Sequence, residues 1–83
     1  EILAEIQMRI LSLNEEISVD PNLGRQFRIG HSYVTPPEGL QIRDAREWFK
    51  QVVKTEIGPL LDEYWFDARD RAEKALQKLA QGF

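Results

Sequence analysis

One short stretch gathers most of the side-chain chemistry of this chain. His31, Ser32 and Tyr33 stand in a row, three hydrogen-bonding groups that between them donate and accept. Gly30 precedes them and allows a backbone conformation or a close approach that a side chain would block. Arg25 and Arg28 flank the stretch on its upstream side. A reaction centre is harder to assemble. His31 is the only histidine, cysteine is absent, and no GxxxxGK[ST] phosphate loop occurs. A metal site on His31 would need further ligands, and no carboxylate stands at a suitable local spacing. Acidic pairs such as Asp62-Glu63 fall on helical segments whose polar faces need charge for solubility. No catalysis is therefore expected of the chain by itself. Two readings of residues 31–33 stay open. Their side chains satisfy backbone groups freed where helices stop, or they face a ligand or a neighbouring domain.

The surrounding elements read as helical. Ile2, Ile6, Ile10, Leu13 and Ile17 recur at steps of four and three, which predicts one amphipathic helix over residues 2–17. Glu5, Arg9, Glu15 and Glu16 lie off that stripe and are expected in solvent. Asp20-Pro21 reads as an N-cap followed by a first-turn proline, opening a short helical turn over residues 22–26. Residues 27–37 form an extended crossing, in which Ile29, Tyr33 and Val34 favour extended backbone and Pro36-Pro37 enforces it. A short pairing of residues 28–33 with another strand has no strong partner in the sequence. Asp44 and Glu47 match a capping box. The helix they open carries Trp48, Phe49, Val52, Val53 and Ile57 inward, until Gly58-Pro59 breaks or kinks it near residues 55–58. Leu60, Leu61, Tyr64 and Trp65 continue as a second short helix. Asp67, with Asp70 three residues on, is expected to cap a last helix that turns Ala68, Ala72, Ala75, Leu76 and Leu79 inward and ends at Gly82. The large aromatics, Phe66 included, are assigned to the core. An exposed cluster among them would mark an interface. The fold class expected is all-α, a small bundle of about four main helices with one short extended crossing.

Composition narrows the partners. The chain has 83 residues, enough for one small domain of modest stability. Its formal net charge is −3, which offers no long-range attraction to nucleic acid or to an anionic membrane. No apolar run approaches the roughly 20 residues that span a bilayer, so no membrane partner is expected. The segment Glu1-Ile2-Leu3-Ala4-Glu5 lacks the basic start of a signal peptide and opens inside a helical pattern, as expected of a piece of a longer protein.

Two blocks carry a resemblance to a known family. Leu23-Gly24-Arg25-Gln26-Phe27-Arg28-Ile29-Gly30-His31-Ser32-Tyr33-Val34-Thr35-Pro36 resembles the C-terminal part of McrB proteins. Trp48-Phe49, and Glu56-Ile57-Gly58-Pro59-Leu60-Leu61-Asp62-Glu63-Tyr64-Trp65-Phe66-Asp67 after it, resemble the same family at similar spacing. The resemblance implies that residues 1–83 are the helical lid subdomain of an AAA+ GTPase. It implies GTP and magnesium as cofactors of the parent protein, with none held by this piece alone. It implies an upstream AAA+ core in the same chain, neighbouring protomers of a ring, and a McrC-like endonuclease. DNA carrying methylated cytosine would be met through other segments, in the cytoplasm. Arg28, Gly30, His31, Ser32 and Tyr33 would be the residues facing nucleotide or core. The alternative is a free-standing helical interaction module with no nucleotide role.

Overall fold

The computed structural model describes residues 1–83. Four α-helices form the chain's frame: α1 (Ile2–Val19), α2 (Ala45–Val52), α3 (Gly58–Tyr64) and α4 (Arg69–Ala80). Three single 3₁₀ turns, Arg25–Phe27, His31–Val34 and Ile42–Asp44, lie between α1 and α2, and there is no strand. The all-α bundle expected from periodicity is what forms.

α1 buries Ile6, Ile10, Leu13 and Ile17, four residues along one stripe, against α2 and α4. Fully burying such a side chain stabilises by about 1.5–3 kcal/mol, so this stripe anchors the bundle. Phe49, Val52, Val53, Ile57, Leu61, Trp65, Ala72, Ala75 and Leu79 face it, and Ile29 and Val34 complete the core from the crossing. Trp48 is only half-buried at the edge of this core, and Phe66 is exposed, contrary to its core assignment. Phe66 lies on the tight turn between α3 and α4, where the backbone directs it outward.

Pro21 ends α1. The residue before a proline is driven out of the α region, and Asp20 has φ −72° and ψ 122°. The Ile17 carbonyl left open by that exit accepts from Asp20 N–H at 3.3 Å and Gly24 N–H at 3.2 Å. Gly24 sits at φ 105°, a region that favours glycine, and this lets the chain fold back under the helix end. Asp20 is thus a helix C-cap, not the N-cap expected, and the next turn forms at Arg25–Phe27.

α2 and α3 follow each other without a loop, and the disturbance expected near residues 55–58 takes the form of an irregular helical turn rather than a chain break. Between them Val53–Ile57 form a π-helical turn, in which Gly58 N–H donates to the Val53 carbonyl five residues back. A proline ring in a regular α-helix clashes with the carbonyl four residues earlier. The widened turn moves that carbonyl aside, and Pro59 enters at the first turn of α3.

Neither predicted acidic cap makes its side-chain bond. Asp44 stands at the start of α2 but caps nothing, because the Ile42–Asp44 turn runs straight into the helix and supplies its own carbonyls. At α4 the cap position falls on Ala68, one residue past Asp67. The Trp65 carbonyl accepts from Ala68 N–H at 2.9 Å and sets that register.

Candidate functional site

The crossing that carries the candidate residues is fastened to α1 by one side chain. Asn14, on the half-buried flank of the helix, meets both backbone groups of Ile29. Ile29 N–H donates to Asn14 Oδ1 at 2.6 Å, and Asn14 Nδ2 donates to the Ile29 carbonyl at 3.1 Å. The amide thereby takes the place of a neighbouring strand, which is why residues 28–30 stay extended without one. Gly30 has φ −72° and ψ 162°, open to any residue. From His31 to Val34 the chain then makes a single 3₁₀ turn. Tyr33 N–H donates to the Gly30 carbonyl at 3.3 Å, and the Thr35 hydroxyl donates to the His31 carbonyl at 3.0 Å. The crossing is extended at its ends and tightly turned in its middle.

This turn splits the predicted cluster. Arg28 and Gly30 line an open basin of about 360 Å³ beside α1, together with Arg25, Glu15, Ser18 and Asn14. His31 lines an adjoining hollow of about 260 Å³ with Gln7, Leu11 and Val34; Leu11, Asn14 and Ile29 are walls of both. Tyr33 packs half-buried against the core instead. It approaches Tyr64, whose phenol is pushed above its ordinary pKa, first by burial and then by Tyr33 and Glu63. Ser32 is exposed, and neither its hydroxyl nor the His31 ring is hydrogen-bonded within the chain. The freed backbone groups are met by Asn14 and Thr35. Arg28 Nε donates to the Arg25 carbonyl at 3.0 Å, which holds the two arginines on one turn. Neither guanidinium is in an ion pair. Glu15 is the one acid in the basin, so the rim carries a net positive charge suited to an anionic group.

Two further polar nodes brace the domain, and sequence reasoning missed both. Asp20, buried at the end of α1, accepts from Trp65 Nε1 at 2.8 Å and from Asn22 N–H at 2.8 Å. Arg71 of α4 reaches the same carboxylate at 3.0 Å and lies over the Trp65 ring, 4.8 Å from its centroid. The indole bond, then the Asn22 bond, hold the Asp20 carboxyl below its ordinary pKa; burial opposes them and Arg71 adds to them. The second node is Arg9, expected in solvent. Its guanidinium donates to the carbonyls of Leu79 at 3.0 Å and Gln81 at 2.6 Å, and covers the Phe83 ring at 4.2 Å. A cation on the open carbonyls at the end of α4 is favourable electrostatically. Phe83 in turn meets Phe49 edge-on at 5.9 Å, which seals the core at that end.

Four helices, one pinned crossing and a basic rim define a small all-α module built to present surface. Residues 5–73 match the family of McrB alpha-helical lid domains, and the chain belongs to that family. Over 68 residues it is 41% identical to the Escherichia coli (strain K12) protein described as the type IV methyl-directed restriction enzyme EcoKMcrB subunit. That alignment covers 81% of this chain and 15% of the relative, so the chain spans a small part of the relative's length. No solved structure matches the chain.

Proposed function

We propose that this domain is the C-terminal lid of a McrB-like AAA+ GTPase. It closes over guanine nucleotide and magnesium held by the AAA+ core upstream in the same chain. It contacts neighbouring protomers of a ring, and the ring drives a McrC-like endonuclease against DNA carrying methylcytosine, in the cytoplasm. The observation that carries the reading is the family match over residues 5–73, which encloses the whole crossing and its basic rim. A lid of this kind works as a rigid body that swings on a hinge and holds groups over a closed site. The Asn14 and Asp20 nodes supply such rigidity, and Arg28, Gly30, His31 and Ser32 are the groups offered at the surface, with Tyr33 half-buried behind them.

The test uses the full-length protein. Arg28→Ala and His31→Ala should lower GTP turnover, by on the order of 100-fold where a group is displaced by about 1 Å from its working position. Both side chains are exposed, so the domain should melt as the parent does. The 83-residue chain alone should give no saturable heat with GTP and magnesium, because it lacks a phosphate loop. Turnover unchanged in both variants would favour the second reading, a helical interaction module without a nucleotide role. The open aromatic cleft at the end of α3 is the observation on that side.

A further inference from the structure

A cleft of about 580 Å³ opens where α3 ends, and the basin of Arg25 and Arg28 shares none of its lining residues. Its apolar surface comes from Leu23, Phe27, Tyr64, Trp65 and Phe66. Phe27 and Tyr64 meet edge to face at 5.3 Å and make one wall. The Trp65 indole is locked by its bond to Asp20, which fixes the floor. Phe66 stands at the lip with 74% of its surface exposed. Single exposed apolar residues are ordinary on a protein surface, but an aromatic group gathered around a preformed hollow marks a contact site.

The charged residues lining this cleft are Glu63 and Asp67, both acids, and no basic residue lines it. Neither acid takes part in an ion pair. The cleft is therefore an aromatic hollow with an unneutralised acidic rim. A second copy of this chain, itself at net charge −3, is a poor electrostatic match for such a rim. We infer that the cleft docks a basic segment of a different protein, one that seats a single large apolar side chain among Phe27, Tyr64 and Phe66 with lysine or arginine on either side of it. The apolar anchor fills a hollow whose floor is fixed by the Trp65–Asp20 bond and whose wall is the Phe27–Tyr64 pair, which limits the ordering that opposes binding. The flanking cations meet Glu63 and Asp67 and set orientation. This surface is independent of the nucleotide reading, since it uses other residues and needs no GTP.

The probe is a short synthetic peptide of lysines and glycines around one central phenylalanine, titrated into the isotope-labelled 83-residue chain and followed by NMR. Two control peptides replace the lysines with glutamate or the phenylalanine with serine. The expected result is saturable shifts at Leu23, Tyr64 and Phe66, with binding that weakens as salt rises. Phe66→Ser should weaken it about tenfold, as loss of an anchor does. Glu63→Lys combined with Asp67→Lys should weaken it by about tenfold too and reduce its salt dependence. These side chains are exposed, so an unchanged melting curve confirms that each variant is folded. Equal binding of the glutamate peptide, shifts centred elsewhere, or no saturable shift would overturn the proposal. So would cleft resonances that move on dilution alone, which would assign the surface to a second copy. GTP turnover of the full-length protein is read separately, so the two proposals fail independently.

Discussion

Removing the Asn14 side chain should loosen the crossing without touching the core stripe. In Asn14→Ala, Ile29 loses partners for its N–H and its C=O, bonds of 2.6 and 3.1 Å. Each such bond contributes about 0.5–1.5 kcal/mol net, which gives about 1–3 kcal/mol for the pair. Alanine is the better helix former by up to about 0.7 kcal/mol, which offsets part of that. With the full offset the net loss expected is about 0.3–2.3 kcal/mol, at its upper end a large share of the stability of a domain this small. Urea titration followed by tryptophan fluorescence should show a lower midpoint with an unchanged slope. Amide exchange at Ile29 should accelerate in the same variant. Asn14→Asp separates the two bonds. The carboxylate still accepts from Ile29 N–H but has no donor for the Ile29 carbonyl and repels it. Protection of the Ile29 amide should therefore survive while the midpoint falls. An Asn14→Ala midpoint equal to the parent's, with Ile29 exchange unaltered, would refute the view that this amide stands in for a strand.

Three further outcomes concern the Arg9 and Asp20 braces and the π turn. Arg9→Met keeps an apolar stem but leaves the carbonyls of Leu79 and Gln81 without their cation, so it should destabilise by about 1–2 kcal/mol and speed amide exchange in the last turn of α4. Gly58→Ala would put a Cβ 3.0 Å from the Val53 carbonyl, which is already committed to the Gly58 N–H. The usual helical gain of about 1 kcal/mol from Gly to Ala should be outweighed by strain, and a thermal melt should show a lower midpoint. The Asp20 carboxyl has a folded pKa below its ordinary 3.8. A depressed carboxyl adds stability that is present above its unfolded pKa and lost as pH falls through its folded one. Melting temperature should thus decline below about pH 4, and Asp20→Asn should flatten that decline; an Asp20→Asn profile parallel to the parent's would assign the acid sensitivity to other carboxylates.

The helices were legible because periodicity reports burial directly. Ile6, Ile10, Leu13 and Ile17 repeat at helical spacing, and they are the buried face of α1. Cap chemistry was less legible. Asp44 and Asp67 have the right type and spacing, but each depends on the preceding turn: one running straight into α2 leaves Asp44 nothing to cap, and one ending a residue later puts Ala68 in the place of Asp67. The Gly58-Pro59 pair signals a disturbance in the helix, which takes the form of a π turn over Val53–Ile57 with Ile57 and Leu61 on either side of the pair both buried in the core.

Polar braces were invisible for a different reason. Asn14, Asp20 and Arg9 act on partners 15, 45 and about 70 residues away, and no local pattern encodes such a partner. Asp20-Pro21 even fits a helix start, since the same two residues that open a helix can close one. What decides is the buried Trp65 indole, whose N–H needs an acceptor and finds the Asp20 carboxylate once α1 has ended. A buried donor of that kind without an acceptor is costly. An aspartate placed to end α1, satisfy the indole and pair with Arg71 therefore serves three elements at once. Its residue type answers that long-range demand as well as the local bond from Asn22 N–H, and only the local part can be read from the turn in which it sits.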